Sequence, residues 1–122
     1  MPHFIYEYSA NLPEEQIDFP GLMETMQLTA ARTGAFPLPG MRSRAIKCEH
    51  FRVGDGAPDK GFINLSMKVG RGRDLDTRLR CGKLLFDTMK AHLQPLLEQH
   101  PVALSFEMRE LDEHVKFNYK SY

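Results

Sequence analysis

A strand, a helix and a second strand follow one another along this chain, and the same succession then occurs a second time. Aromatic residues alternate with other side chains over residues 3–8, which predicts a strand near the beginning of the chain. A helical pattern opens at Pro20-Gly21 and meets a stop signal at Gly34. Residues 44–53 read as the next strand. Strands joined by a helical crossover are expected to lie parallel to each other.

The second succession is the clearer of the two. Residues 63–69 alternate apolar and polar side chains, as a half-buried strand does. Asp74 is a good N-cap for the helix that follows, and Pro95 should kink or end that helix. A fourth strand is predicted over residues 102–108, where apolar residues occupy every second position.

Together these patterns predict one α/β (α+β) domain over residues 1–122, built from a duplicated β-α-β unit. The two pseudo-repeats span approximately residues 2–56 and 61–111. A chain of 122 residues suffices for one core and is too short for two. We expect a four-stranded mixed sheet with two helices on one face. Since both faces of the strands read as substantially apolar, self-association is expected to cover the open face.

Composition argues against several classes of partner. Sixteen basic residues balance sixteen acidic ones, so no overall field attracts nucleic acid or an anionic membrane. No stretch has the layout of a secretory signal or the length of a membrane span. Cys48 and Cys81 form no CxxC pair and lie on different predicted elements. Reduced thiols are therefore expected, which fits a cytoplasmic protein.

Arginines cluster at two predicted turns. Arg42 and Arg44 lie where a proline-rich loop enters the second strand, and Arg73 immediately precedes the second long helix. Backbone N–H groups and the helix dipole favour an anion at a helix N-terminus, and a guanidinium adds a bidentate grip on a carboxylate. From these residues alone, a solvated loop, a carboxylate or phosphate site and a nucleic-acid contact all stay open. The balanced charge and the lack of an Arg-Gly repeat count against nucleic acid.

No known metal or nucleotide motif is present. The histidines have neither metal-ligand spacing nor a companion cluster of cysteine or aspartate; they are His3, His50, His92, His100 and His114. Gly82-Lys83 lacks the glycine and hydroxyl residues of a phosphate-binding loop. His3 neighbours Pro2 but is predicted to project from the opposite side of the strand, which favours a structural role.

Pro2 offers a different kind of chemistry. Methionine before a small residue is normally trimmed, and its removal from this chain leaves a prolyl secondary amine at the terminus. An α-amino group ordinarily titrates near pH ~7.7–8.0. Partial burial beside cations lowers that pKa further, because it disfavours the charged form. A base poised near neutral pH suits proton transfer. Met-Pro alone is common in unrelated chains, so the residues that follow decide its meaning.

Those residues resemble the tautomerase superfamily and, within it, the 5-carboxymethyl-2-hydroxymuconate isomerase family. The resemblance rests on the order and spacing of short blocks that run from residue 2 to residue 111. The blocks are Pro2-His3-Phe4-Ile5, Pro20-Gly21-Leu22, Thr33-Gly34, Phe36-Pro37-Leu38, Gly40-Met41-Arg42-Ser43-Arg44, Gly70, Gly72-Arg73, Leu85-Phe86 and Leu104-Ser105-Phe106-Glu107.

The resemblance implies a homotrimer that works without a cofactor or metal, in the degradation of homoprotocatechuate. It implies that Pro2 is the acid/base, taking a proton from the 2-hydroxyl of a dienol carboxylate and returning one at C5 to form the conjugated 2-oxo isomer. Arg42 and Arg73 match arginines that hold substrate carboxylates, with Arg44 as a third member. Two alternatives stay open: a tautomerase of another 2-oxo or enol acid such as phenylpyruvate, and a non-catalytic trimeric protein that binds carboxylates.

Overall fold

A computed structural model describes residues 1–122 and contains four strands, four α-helices and one 3₁₀ turn. The elements, in chain order, are β1 (His3–Ser9), α1 (Glu14–Ile17), α2 (Phe19–Arg32), the 3₁₀ turn (Leu38–Gly40), β2 (Arg42–Cys48), β3 (Gly61–Val69), α3 (Leu75–His92), α4 (Gln94–Gln99) and β4 (Val102–Glu110). None of the helices combines the length and the apolar character that crossing a membrane requires.

The sheet has the strand order β2-β1-β3-β4. β1 runs parallel to β2, and β3 runs parallel to β4, while the central pair β1 and β3 is antiparallel. The two long helices α2 and α3 pack beside each other and cover one face. Phe4, Tyr6, Leu65 and Met67 are fully buried there. The predicted mixed sheet with two helices on one face is therefore confirmed.

Helix boundaries follow the predicted signals. The Asp74 carboxylate accepts the Thr77 N–H at 2.8 Å and so begins α3 as an N-cap. Just beyond the end of α2, Gly34 has a φ of +79°, a conformation that glycine adopts without strain. Pro95 lies in the first turn of the short helix α4, after α3 has ended at His92. At that position the missing N–H of proline costs no helical hydrogen bond.

The second strand is shorter than predicted. β2 begins at Arg42 and ends at Cys48, whereas the sequence pattern placed it over residues 44–53. The reason lies in its position at the edge of the sheet, where β1 is its only partner. Cys48 pairs with Ser9, the last residue of β1, so the chain beyond has no ladder to join.

The open face of the sheet is mainly polar, and the expectation that it would be apolar was wrong. Its polar side chains are His3, Glu7, Arg42, Arg44, Asn64, Ser66, Lys68, Ser105, Glu107 and Arg109. Apolar residues at the alternate positions all point toward the helices, as the two-residue period of a strand requires. The only large apolar side chains on the open face are Ile5, Ile46 and Phe62. This face is therefore not a hydrophobic surface that must be covered.

Tyr6, in the core, carries a hydroxyl group that forms no hydrogen bond. The Tyr6 hydroxyl is buried and has no hydrogen-bond partner, and burial raises the pKa of this phenol. An unpaired buried hydroxyl loses its hydration without compensation, so Tyr6→Phe should leave stability unchanged or raise it by up to about 1–2 kcal/mol. Tyr8→Phe is the matched control, because the Tyr8 hydroxyl donates to the Glu14 carboxylate and its loss should cost about 1 kcal/mol. Urea unfolding of both variants checks this, and a clearly destabilised Tyr6→Phe would contradict it.

Candidate active site

The amino terminus of the chain lies at one end of the sheet, against the start of β2. Pro2 is buried, and its carbonyl accepts the Arg42 N–H at 3.0 Å. This bond continues the parallel pairing of β1 with β2 by one residue beyond His3. A proline is tolerated here, immediately before the first strand residue, because the pairing uses only its carbonyl and requires no N–H donor from its nitrogen. This hydrogen bond and the burial of its ring hold Pro2 in position.

Three cationic side chains converge on this terminus. Burial lowers the pKa of the Met1 amino group, and Arg73, Lys116 and Arg42 lower it further, in that order. The Met1 side chain packs on the 3₁₀ turn, where its Sδ would lie 3.1 Å from a Cβ placed on Gly40. Adjacent Cα atoms are only ~3.8 Å apart, so the nitrogen of Pro2 shares the same surroundings. A basic nitrogen here is favoured in its neutral state.

None of these three cations is neutralised within the subunit. The seven ion pairs of the chain involve neither Arg42 nor Arg73 nor Lys116. Cationic groups gathered without a carboxylate repel one another, so a bound polyanion relieves that repulsion. The sequence patterns had indicated Arg42 and Arg73, and the structure brings both to Pro2. Lys116 was missed, because it lies in a tail without recognisable periodicity.

Arg73 is held rigidly by the backbone around it. Its Nε donates to the Ala35 carbonyl at 2.8 Å, and one Nη donates to the Gly70 carbonyl at 3.1 Å. The guanidinium also lies over the Phe36 ring, 4.3 Å from the ring centroid. These contacts tie the loop before α3 to the loop after α2. The second Nη has no protein partner. Because the other contacts fix the plane of the guanidinium, this Nη has a defined direction and is available to a carboxylate.

The N-terminus of α3 is not the open anion site that the sequence indicated. The Asp74 side chain already occupies it and accepts the Thr77 N–H. Hydrogen bonds from Thr77 lower the pKa of this exposed carboxyl, which keeps it charged and attached to the helix. Asp74 therefore supplies the negative charge that the helix end favours. The anion-binding capacity of this region comes from side chains, chiefly Arg73.

Arg44 lies apart from the other predicted site residues. One Nη is 3.1 Å from His3 Nδ1, and its register partner in β1 is Ile5, on the open face of the sheet. Burial, Arg44 and Arg42 lower the pKa of His3, so its ring is neutral and Nδ1 accepts the bond from Arg44. Arg44 is not among the cations that act on the terminal amine. The structure thus brings together Pro2, Arg42 and Arg73 but not Arg44.

The largest cavity of the subunit is elsewhere. It is a groove of about 500 Å³ between α3 and β4, and it contains none of the four predicted site residues. Its apolar walls are Leu75, Leu79, Phe86, Phe106 and Met108. No group of three or more histidine, cysteine or acidic side chains is placed to hold a metal ion.

Comparison with known proteins shows the family of the chain. The family model for 5-carboxymethyl-2-hydroxymuconate isomerase matches residues 2–121. The chain belongs to this family. The 5-carboxymethyl-2-hydroxymuconate Delta-isomerase of Escherichia coli is 42% identical over 120 residues, which cover 98% of this chain and 93% of that one.

Solved structures place this member of the isomerase family among the tautomerase folds. A crystal structure of a 5-carboxymethyl-2-hydroxymuconate isomerase from Deinococcus radiodurans R1 superposes with a TM-score of 0.89 at 29% identity, covering 98% of this chain and 90% of that one. The W0 fused 4-OT, a wild-type symmetric trimer, shares the fold alone, with a TM-score of 0.65 at 14% identity over 89% of this chain and 86% of that one.

Proposed function

We propose that this protein isomerises 5-carboxymethyl-2-hydroxymuconate to its conjugated 2-oxo isomer, with Pro2 as the acid/base. The main support is that Arg42, Arg73 and Lys116 all act on the amino terminus. None of these three cations forms an ion pair within the subunit. This substrate bears three carboxylates and therefore matches a site of concentrated positive charge. The 42% identity to the Escherichia coli isomerase supports the same substrate.

The reaction needs one group that accepts a proton and then returns one. Once Met1 is removed, the neutral Pro2 nitrogen takes the proton of the 2-hydroxyl, and the O–H electrons form the C2 carbonyl. The π electrons of the C2=C3 bond form a new double bond between C3 and C4, and those of the C4=C5 bond take the proton from the prolinium to form the C5–H bond. Atoms and charge balance without any cofactor. Such general acid–base transfer typically contributes ~10²–10⁴ in rate.

The cations have two tasks in this mechanism. They lower the pKa of the Met1 amino group, and once Met1 is removed the same cations favour the neutral form of the neighbouring Pro2 nitrogen. They also hold the substrate carboxylates and stabilise negative charge at the 2-oxygen as the proton leaves. Arg73 is the best prepared for this, because Ala35, Gly70 and Phe36 fix its guanidinium. Arg44, engaged with His3 on the open face, has the weakest support as a substrate ligand.

We also propose that the subunit forms a homotrimer in the cytoplasm. The groove between α3 and β4 exposes apolar side chains, with Leu75 and Leu79 60% and 62% accessible. The tail beyond β4 carries further exposed apolar residues, namely Val115, Phe117, Tyr119 and Tyr122. Apolar surfaces of this kind mark an interface in a well-folded protein. The W0 fused 4-OT, which shares this fold, is a symmetric trimer, and this supports a trimeric assembly. Cys48 and Cys81 are free thiols, which supports a reducing compartment such as the cytoplasm.

Leu79→Lys tests the assembly. A charge in the groove should oppose burial against a second copy, so the mass in solution should fall from three times the 14.0 kDa subunit mass toward one. Leu84→Lys is the control, since Leu84 lies on the same helix and is 46% exposed but does not line the groove. Light scattering coupled to size exclusion gives both masses. A wild-type monomer, or equal behaviour of the two variants, would contradict the proposed interface.

A direct assay tests the activity. Purified protein, with loss of Met1 verified by intact mass, should convert the ultraviolet absorbance of the dienol into that of the conjugated ketone. Phenylpyruvate is assayed in parallel and should turn over far more slowly, since a single carboxylate uses fewer of the three cations. Faster turnover of phenylpyruvate would reassign the substrate. Binding of the muconate without turnover would leave only a carboxylate-binding protein.

A further inference from the structure

The tail that follows β4 turns back toward the amino terminus. Leu111 extends the β3–β4 ladder by donating its N–H to the Val69 carbonyl at 2.8 Å. The Asp112 carboxylate then accepts two backbone N–H groups, from His114 at 2.9 Å and from Val115 at 2.6 Å. An aspartate that bonds to the backbone ahead of it in this way fixes a tight turn. This turn determines where the next residue, Lys116, is placed.

Lys116 is placed against Gly70, the residue that follows β3. A Cβ on Gly70 would lie 3.3 Å from Lys116 Nζ, so the ammonium rests on the bare backbone of this glycine. Arg73 approaches the same residue from the other direction and donates to its carbonyl. Gly70 therefore separates two cations, and both act on the terminal amine.

From this geometry we infer that Lys116 is a substrate-binding residue that takes the third carboxylate of the tricarboxylate substrate, and that Asp112 is the residue that positions it. The inference rests on the proposed function for the identity of the substrate. It assigns one cation to each carboxylate: Arg42, Arg73 and Lys116. Since each substrate charge then has its own partner, a monocarboxylate leaves two cations unpaired, which favours polyanionic ligands.

The exposure of Lys116 to solvent limits how much it can contribute to substrate affinity. Lys116 is an exposed residue on a tail, so its bond to a carboxylate is weaker than that of a half-buried arginine. A charge-assisted bond at the edge of a site corresponds to roughly a fivefold to tenfold change in affinity. A point charge on a flexible stem can be replaced by another cation, so Lys116→Arg should retain most of the affinity.

The experiment measures binding and turnover in parallel. The binding probe is propane-1,2,3-tricarboxylate, an unreactive tricarboxylate, titrated by calorimetry into the trimmed protein. Lys116→Ala should weaken binding roughly fivefold to tenfold. Lys120→Ala is the matched control and should leave binding within about twofold, because Lys120 lies against the Tyr122 ring and not at Gly70. Asp112→Ala should reproduce part of the loss, whereas Asp112→Asn keeps an oxygen acceptor for the turn and should not.

Turnover provides an independent reading. Lys116→Ala should raise KM for the muconate and shift the acidic limb of the kcat/KM profile to higher pH. Removing this cation leaves Arg73 and Arg42 as the remaining charges that oppose protonation of the terminal amine, so the pKa of the amine rises. Equal tricarboxylate affinity in the Lys116→Ala and Lys120→Ala variants would overturn the inference, whatever the activity. A wild-type protein that binds the probe through Lys116 but does not convert the muconate would overturn the proposed function instead.

Discussion

Replacing Pro2 by alanine should reduce kcat for the muconate by roughly 10²-fold or more, the range that general acid–base catalysis contributes. Alanine is also small enough for Met1 to be removed, so the variant keeps an amine at the terminus but loses the rigid ring and its basicity. The ring fixes the nitrogen between the start of β2 and the cations Arg42, Arg73 and Lys116. A more mobile primary amine is a poorer base in that position. Initial rates by ultraviolet absorbance give kcat and KM separately.

KM should change little in this variant, because the cations that hold the substrate stay in place. Pro58→Ala is the matched control: Pro58 is exposed, in the loop between β2 and β3, and removing its ring should leave turnover unaltered. Circular dichroism establishes that both variants are folded. A Pro2→Ala protein with wild-type kcat would remove this nitrogen from the mechanism.

Arg73→Ala should produce the second large effect, a loss of roughly 10²-fold in kcat/KM, comparable to the removal of one preorganised donor from an oxyanion site. Arg73→Lys should recover only part of this loss. The wild-type side chain uses Nε for Ala35, one Nη for Gly70 and its plane for Phe36, and an ammonium cannot reproduce these three contacts together. The lysine therefore supplies a charge without the fixed orientation.

Arg80→Ala is the control for the loss of one positive charge. Arg80 is exposed on α3 and takes part in no ion pair or side-chain hydrogen bond, so its removal should leave kcat/KM within about twofold. Arg73→Ala also removes one cation from the surroundings of the terminal amine, so the acidic limb of the pH profile should shift upward. Full activity of Arg73→Ala would place the carboxylate site elsewhere.

The elements were predictable from the sequence wherever local signals were strong. The alternation over residues 63–69, the N-cap at Asp74 and the glycine stop after α2 each depend on neighbours along the chain. Pro2, Arg42 and Arg73 were predicted from the sequence as site residues. Their closeness in the fold follows from two pairings: β1 runs parallel to β2, and β1 runs antiparallel to β3, so the starts of β1 and β2 lie beside the end of β3. Arg44 was predicted with them, but it lies two residues further along β2 than Arg42, opposite Ile5, and its side chain contacts His3 on the open face.

Other features depend on contacts that are distant in sequence. The end of β2 at Cys48 is set by the end of its partner at Ser9, which the residues around Cys48 do not reveal. The alternation over residues 63–69 already marked polar positions, and the strand register shows that the polar positions of all four strands share the open face. Lys116 is positioned by the Asp112 turn and by Gly70, so no spacing within the tail marks it as part of a site. The local signal for that turn is Asp112 itself, because an aspartate side chain can accept the backbone N–H two residues ahead.

The pKa of the Pro2 nitrogen decides whether this residue can act as the base. Protein labelled with ¹⁵N-proline, with loss of Met1 established by mass, is titrated by NMR beside a short Pro-His-Phe peptide. We predict a pKa well below that of the peptide, equal to the midpoint of the acidic limb of kcat/KM, because burial and three neighbouring cations disfavour the prolinium. A pKa at or above the peptide value, or a terminus that stays blocked by Met1, would contradict the assignment of Pro2 as the base.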